Sequence, residues 1–234
     1  MKKYLLLFLT HNFNKYFIKT LEKINNIHNN FDIIVLFDNS KIYDKKIVDH
    51  LTNIKIIKIN KIKTSYDNFG HSMYIHYFKN NMDILDNYKY FWIIENDVYY
   101  PNSLIEFIEK HEKFENDLFV AEYGCRSNKW ERLKSLKGFS HIYQIGILGV
   151  IMRISSKLMK ILLLSIDKKY KGYLETILPH LCIYHNLIIQ QFIPETCGIL
   201  TTSNKNPFLK LIEYDILNNK KTFLENKIYH PIKL

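Results

Sequence analysis

The sequence predicts an α/β fold in which a mostly parallel sheet is flanked by helices on both faces. Two observations carry this prediction. Short apolar runs alternate with helix-period segments over the first half of the chain, which is the order that parallel sheets require. Tyr90–Ile94 is an unbroken run of five apolar and aromatic residues, as expected for a strand that is buried on both faces. With 234 residues and 47% hydrophobic residues, the chain can bury a large core.

The first half contains four predicted strands and two clear helices. The helix over Phe13–Ile27 has apolar residues at helical spacing, and Asn12 is its expected N-cap. The helix over Asn68–Met82 turns Met73, Tyr77 and Phe78 inward, and Lys46–Leu51 could form a further short helix. The four strands are Tyr4–Thr10, Phe31–Phe37, Ile54–Ile59 and Tyr90–Ile94.

The second half is less regular. Helices are expected at Pro101–His111, Ser155–Ile166 and, despite Pro179, Glu175–Asn186; the first of them has a proline where the first helical turn tolerates one. Residues 124–145 resemble a loop, and residues 205–234 lack periodicity until Ile228. The predicted strands here are Leu118–Glu122, Gly146–Ile154 and Ile188–Pro194.

Composition limits the classes of function. The formal net charge is +10, which favours anionic partners such as nucleotide sugars, phospholipid head groups or nucleic acid. The basic residues are dispersed, which argues against a nucleic-acid arm and leaves peripheral contact with an acidic membrane open. Three cysteines without paired spacing argue against disulfides or a zinc site. The apolar run after Lys3 is too short for a signal peptide or a membrane span, so we expect a cytoplasmic protein.

A short acidic step, Glu95-Asn96-Asp97, directly follows the central apolar strand. On extended backbone, side chains at i and i+2 point to the same side. Ligands of open α/β sheets bind just outside the carboxyl ends of the strands. Two carboxylates there could hold a hard divalent cation, and the cation could hold a phosphate. The alternative is an ordinary solvated turn.

This arrangement resembles the glycosyltransferases of the GT-A fold, a Rossmann-related class. Their Asp-x-Asp motif ends a buried strand and binds a divalent metal on the diphosphate of a nucleotide sugar. Glu95-Asn96-Asp97 is a variant with Glu first. The resemblance implies Asp97 as the direct ligand of Mn2+ or Mg2+, and Glu95 as a ligand through water or as a contact to the ribose or sugar. It also implies His230 as a further ligand, which suits manganese, and Lys233 as a contact to the diphosphate.

The resemblance also assigns residues to nucleotide binding. The loop after the first strand, Thr10-His11-Asn12, occupies the place where the class binds nucleotide. Asp38 resembles the acidic residue that reads the base or ribose, although it could equally be a turn-forming residue. Tyr66, before the next helix, is a candidate to stack on the base.

The acceptor side is expected in the second half. The resemblance implies a general base at the start of a helix beyond the acceptor loop, where Glu175 lies; a stabilising first-turn Glu is the alternative. Glu122 is the rival base. Gly146 and Gly149 correspond to a loop against the donor sugar or only permit close packing. Trp130 could stack on a sugar or be partly buried.

Taken together, the resemblance implies one glycosyltransferase domain over residues 1–234, with a donor half at about 1–100 and an acceptor half at about 101–234. The expected reaction moves a sugar from a nucleotide-diphosphate sugar, with a UDP-sugar as the expected donor, to a hydroxyl of a glycan or other acceptor with inversion. The alternatives are a retaining transferase, a nucleotidyltransferase, or a non-enzymatic module that binds nucleic acid or glycans. The absence of glycine in Thr10–Asn14 counts against a nucleotidyltransferase. The expected lack of a membrane anchor makes the chain resemble the soluble transferases of bacteria or large viruses more than typical Golgi enzymes.

Overall fold

A seven-stranded mixed sheet organises the chain. The computed structural model describes residues 2–25, 31–60, 69–100, 103–126, 130–166, 170–200, 209–210, 213 and 227–231. The strands are β1 (Lys2–Thr10), β2 (Phe31–Asp38), β3 (Ile54–Ile59), β4 (Tyr88–Glu95), β5 (Leu118–Cys125), β6 (Ile145–Ser155), β7 (Ile189–Gln191), β8 (Cys197–Leu200) and β9 (Ile228–His230). The helices are α1 (Lys15–Asn25), α2 (Phe69–Lys79), α3 (Leu104–Lys110), α4 (Glu131–Lys134), α5 (Ser156–Ser165) and α6 (Leu174–Tyr184).

The order of strands in the large sheet is β3-β2-β1-β4-β6-β5-β7. The first four strands are mutually parallel, as are β5 and β7, whereas β6 runs antiparallel to both of its neighbours. The prediction of a mostly parallel sheet is therefore confirmed. A separate pair of parallel strands, β8 and β9, was not predicted.

Helices cover both faces of the sheet, as predicted. Alternate residues of β1 explain why, because Leu5 and Leu7 face one cluster of buried side chains and Leu6 and Phe8 face another. Helices α2, α5 and α6 pack in the first cluster, and α1 and α3 pack in the second. Both faces of the central strands are thus apolar, which accounts for their unbroken hydrophobic runs.

The predicted cap of the first helix was wrong. The side chain of Asn14, and not that of Asn12, accepts a hydrogen bond from the backbone N–H of Phe17 at 2.7 Å. Capping by the later residue starts the helix at Lys15 and leaves Asn12 in the loop after β1, where its side chain is available to other partners.

Three parallel strands end side by side at one edge of the sheet. Strands β2, β1 and β4 are neighbours and end at Asp38, Thr10 and Glu95. The loops that follow these strands therefore meet at the carboxyl edge, the usual place for ligands in α/β sheets. Among the described residues, no helix has both the length and the apolar character needed to cross a membrane.

Candidate functional site

The acidic step lies in a tight turn at the carboxyl end of β4. Glu95 is the last residue of the strand, and its carbonyl accepts a hydrogen bond from the Val98 N–H at 3.1 Å. The Asn96 N–H donates to the Leu9 carbonyl of β1, also at 3.1 Å. The assumption of an extended Glu95–Asp97 segment was therefore wrong, because the chain turns as soon as β4 ends.

The C-terminal strand β9 brings His230 to this turn. Tyr229 and Tyr99 form an antiparallel bridge in which each backbone N–H donates to the other carbonyl at 2.8 Å. The next residue, His230, places Nε2 3.1 Å from Glu95 Oε2 and 3.0 Å from Asp97 Oδ1. Residues that are far apart in sequence thus form one cluster, which we call the carboxylate–histidine cluster: Glu95, Asp97 and His230.

The two carboxylates of the cluster strongly stabilise the protonated form of His230. Burial disfavours the charged imidazole of His230, but hydrogen bonds and charge from Asp97 and Glu95 outweigh burial and raise its pKa to about 9. Asp97 and His230 are only 7% and 5% exposed. In the metal-free protein at neutral pH, a protonated His230 therefore balances part of the carboxylate charge.

The donor set suits a divalent cation. One ligand atom from each of Glu95, Asp97 and His230 lies within 4.8 Å of the others. Two carboxylates with one imidazole fit Mn2+ or Mg2+ better than a thiolate-preferring ion. Within the described ranges, this is the only such group of three.

The loop after β1 is tied to the same turn. The side chain of Asn96 donates to Asn12 Oδ1 at 3.1 Å, and the Asn12 N–H donates to Thr10 Oγ1 at 3.1 Å. Thr10 is buried, whereas His11 and Asn12 are exposed. The structure thus joins the loop Thr10-His11-Asn12 to the acidic turn through Asn96, and the side chains of His11 and Asn12 are exposed.

Asp38 is engaged in its own turn. Its two carboxylate oxygens accept hydrogen bonds from the Ser40 N–H at 2.9 Å and from the Ser40 hydroxyl at 2.7 Å. The turn-forming interpretation therefore describes its present contacts, and a role in reading the base or ribose stays a prediction. Tyr66 and Lys233 lie outside the described residues.

The acceptor-side candidate Glu175 is in the first turn of α6 and is only 3% exposed. Its carboxylate forms an ion pair with Arg132 of α4. Burial lowers the pKa of Arg132, while the charges of Tyr173 and Glu95 act in the opposite direction. Arg132 therefore pairs with Glu175 and is also close enough to Glu95 for that negative charge to stabilise the guanidinium.

A second arginine lies close by. Arg126 pairs with the exposed Glu122, and the guanidinium carbons of Arg126 and Arg132 lie 5.6 and 5.7 Å from the ring centroid of Trp130. The Trp130 ring packs against Gly146, where any Cβ would lie under 3.0 Å from it. Trp130 is thus half-buried between two cations, as the partial-burial alternative expected.

Gly146 and Gly149 lie within β6 and not in a loop.

Sequence reasoning missed Arg132 and the bridge between Tyr99 and Tyr229. Arg132 is one of only three arginines in a lysine-rich chain, and that rarity next to Trp130 was a usable signal, because arginine favours paired and stacked positions. The bridge had no comparable signal, since it depends on where residue 229 returns in space.

Comparisons with known proteins bear on the fold. No family model matches the chain, and no curated protein matches it. One matching structure is a Bacillus anthracis protein described as a glucose-1-phosphate thymidylyltransferase in complex with a sucrose. The match has a TM-score of 0.50 and 12% identity and covers 97% of this chain and 100% of that one. Another is a 4-diphosphocytidyl-2C-methyl-D-erythritol synthase, with a TM-score of 0.51, 9% identity and coverage of 91% and 98%.

The chain has an α/β fold of the type that GT-A proteins and nucleotidyltransferases share. Mouse xyloside xylosyltransferase 1 also matches, with 11% identity, coverage of 98% and 97%, and a TM-score of 0.47. The assignment rests on the two matches with higher scores and on the sheet itself. At such low identity, this fold is what is shared, and the activity of this chain must be argued from its own residues.

Proposed function

We propose that this protein is a metal-dependent glycosyltransferase that takes a nucleotide-diphosphate sugar as donor and transfers the sugar to a hydroxyl of a glycan or other acceptor. One observation carries the proposal: Glu95, Asp97 and His230 converge at the carboxyl edge of a GT-A-like sheet. Mn2+ or Mg2+ bound there supplies positive charge that stabilises a leaving nucleoside diphosphate.

The donor half positions the nucleotide in this proposal. The exposed His11 and Asn12 are proposed to contact the nucleotide, and the amide of Asn96 joins their loop to the acidic turn. Asp38, at the end of the neighbouring strand, is proposed to contact the base or ribose once Ser40 gives way. Tyr66 on the base and Lys233 on the diphosphate complete the proposed donor site.

The acceptor half supplies the base. Glu175 is proposed to take the proton from the acceptor hydroxyl, which then displaces the nucleoside diphosphate in one in-line step and inverts the anomeric centre. The acceptor must reach a carboxylate that is now ion-paired with Arg132. Glu122 is the rival base because its side chain is more accessible, although it is also paired with an arginine, Arg126. If neither serves, a retaining mechanism is the alternative.

Donor hydrolysis is the first test. Purified protein is incubated with a panel of UDP-sugars and other nucleotide sugars with Mn2+ or Mg2+, and the released nucleoside diphosphate is measured. We expect metal-dependent release with at least one donor, and Asp97→Asn should reduce it at least a hundredfold because a charged ligand is lost. Release that does not respond to the metal, or no binding and no release with any donor, contradicts the proposal.

A matched pair of variants tests the base. Glu175→Gln should abolish transfer while donor affinity stays within a few-fold of the original, because the donor contacts lie in the other half of the chain. Glu122→Gln, which also loses an arginine partner, should retain most of the activity. The opposite ranking would assign the role to Glu122.

A nucleotidyltransferase is the second candidate, since one of the two structural matches with the higher scores is named as a glucose-1-phosphate thymidylyltransferase. The reactions release different products. Pyrophosphate release from a nucleoside triphosphate and a sugar phosphate, without nucleoside diphosphate release from nucleotide sugars, would favour this candidate. A non-enzymatic basic module would instead show salt-dependent nucleic-acid binding and no nucleotide-sugar binding.

A further inference from the structure

The segment that carries His230 reaches the cluster through its neighbour Tyr229. The backbone of Tyr229 is bonded to Tyr99 by two hydrogen bonds of 2.8 Å, and Tyr99 lies two residues after Asp97. The bridge therefore connects the acidic turn directly to the histidine. Any displacement of Tyr229 along or away from this bridge must also move the imidazole of His230.

The side chain of Tyr229 needs a glycine beside it. Tyr229 is 1% exposed, and its ring lies against Gly198 of β8. A Cβ at Gly198 would lie under 3.0 Å from three atoms of that ring, Cδ1, Cε1 and Cζ, which is closer than real Cβ atoms approach. Strand β8 pairs with β9 at Cys197↔Ile228 and Leu200↔His230, with a register irregularity between these two pairs, so Gly198 lies between two points at which the strands are joined.

We infer that Gly198 and the ring of Tyr229 are positioning residues for His230. They fix β9 at the depth at which the imidazole reaches Glu95 and Asp97. Neither residue touches the cation site, so both act through the backbone of the histidine. The inference rests on the metal site of the proposed function, and it adds two residues that determine the metal affinity of that site.

The Tyr229 hydroxyl has no role in this arrangement. It is buried, and it has no hydrogen-bond partner among the described residues. The shape of the ring, and not its polarity, therefore fills the space beside Gly198. This separates a positioning role from a direct chemical role of the tyrosine.

Mn2+ binding to the metal-free protein tests the inference. Loss of a hydrogen bond that orients a metal ligand typically weakens metal affinity by about 10–100-fold. We expect an effect of the same order when the backbone that carries the ligand is displaced, so Gly198→Ala should weaken Mn2+ binding at least tenfold. Gly124→Ala is the matched control, because nothing lies within 4 Å of a Cβ at Gly124, and its affinity should be unchanged. A folded Gly198→Ala protein with the original Mn2+ affinity overturns this inference but leaves the proposed metal site intact.

The tyrosine variants provide a second measurement, which also decides the matter if Gly198→Ala does not fold. Tyr229→Phe should bind Mn2+ within twofold of the original, and Tyr229→Ala should bind at least tenfold more weakly. In the Tyr229→Ala background, adding Gly198→Ala should have no further effect. Equal affinities of Tyr229→Ala and Tyr229→Phe overturn the inference, whereas absence of Mn2+ binding by the unsubstituted protein contradicts the proposed metal site as well.

Discussion

Replacement of Arg132 by Met should destabilise the protein strongly. The substitution keeps much of the aliphatic bulk but removes the Arg132 cation that pairs with the carboxylate of Glu175, whose side chain is only 4% exposed. Removing one partner of a buried ion pair costs about 3–5 kcal/mol, because the remaining charge is buried and uncompensated. Urea unfolding at pH 7, followed by far-UV circular dichroism without added metal, measures the change in the free energy of unfolding.

Arg126→Met is the matched control. Arg126 contacts the same Trp130 ring at nearly the same distance as Arg132, but the side chain of its partner Glu122 is 50% exposed. Such an exposed pair contributes at most about 1 kcal/mol. The double variant Arg132→Met/Glu175→Leu should regain most of the loss, since it removes both charges. If Arg132→Met costs no more than Arg126→Met, the ion pair is not a buried structural contact.

Two further predictions concern the core and the neighbourhood of Trp130. Burial lowers the pKa of His111 from 6.5 to about 4. Between these two pH values the imidazole is protonated in the unfolded chain and neutral in the folded one, so the free energy of unfolding decreases as pH falls from about 6.5 to 4. The loss is about 3 kcal/mol at 1.36 kcal/mol per pH unit, and urea midpoints of His111→Gln should fall less over that window; parallel curves would contradict the assignment. Gly146→Ala should cost about 1–3 kcal/mol by overpacking against Trp130, whereas Gly124→Ala should be near neutral; equal thermal midpoints would show that the ring moves freely.

The sequence was sufficient to predict the central strand and the acidic step at its carboxyl end. The apolar run before Glu95 predicts a strand that is buried on both faces, and β4 is indeed central. His230 was found through the resemblance, and the structure brings it to the acidic turn. The geometry of that turn was not predictable from spacing alone, because a strand and a turn place residues 95 and 97 differently.

The second half of the fold depends on contacts that are distant in sequence. The run Gly146–Ile154 was recognised as a strand, but an apolar run has no directional signal, so the antiparallel course of β6 could not be read from it. Strands β8 and β9 are only four and three residues long. Their pairing, and the packing of the Tyr229 ring against Gly198, are tertiary contacts that such short segments do not signal.

The ion pair between Arg132 and Glu175 could not be predicted from the sequence either. The spacing of Arg132 and Glu175 gives no reason to join them, and only the packing of α4 near the start of α6 does so. For the same reason, Glu175 could be interpreted as a first-turn residue or as a base from the sequence, and its arginine partner emerged only in three dimensions. Local capping also depended on one residue, since Asn14 and Asn12 are equally suitable by type.

Mn2+ binding by the metal-free protein is the most direct measurement of the central claim. The loss of the free Mn2+ signal in electron paramagnetic resonance should show one site per chain. Asp97→Asn should weaken binding at least tenfold, and Asp83→Asn, which changes an exposed carboxylate before the opposite end of β4, should not. No binding by the unsubstituted protein, or equal affinities of the two variants, would contradict a metal site formed by Glu95, Asp97 and His230.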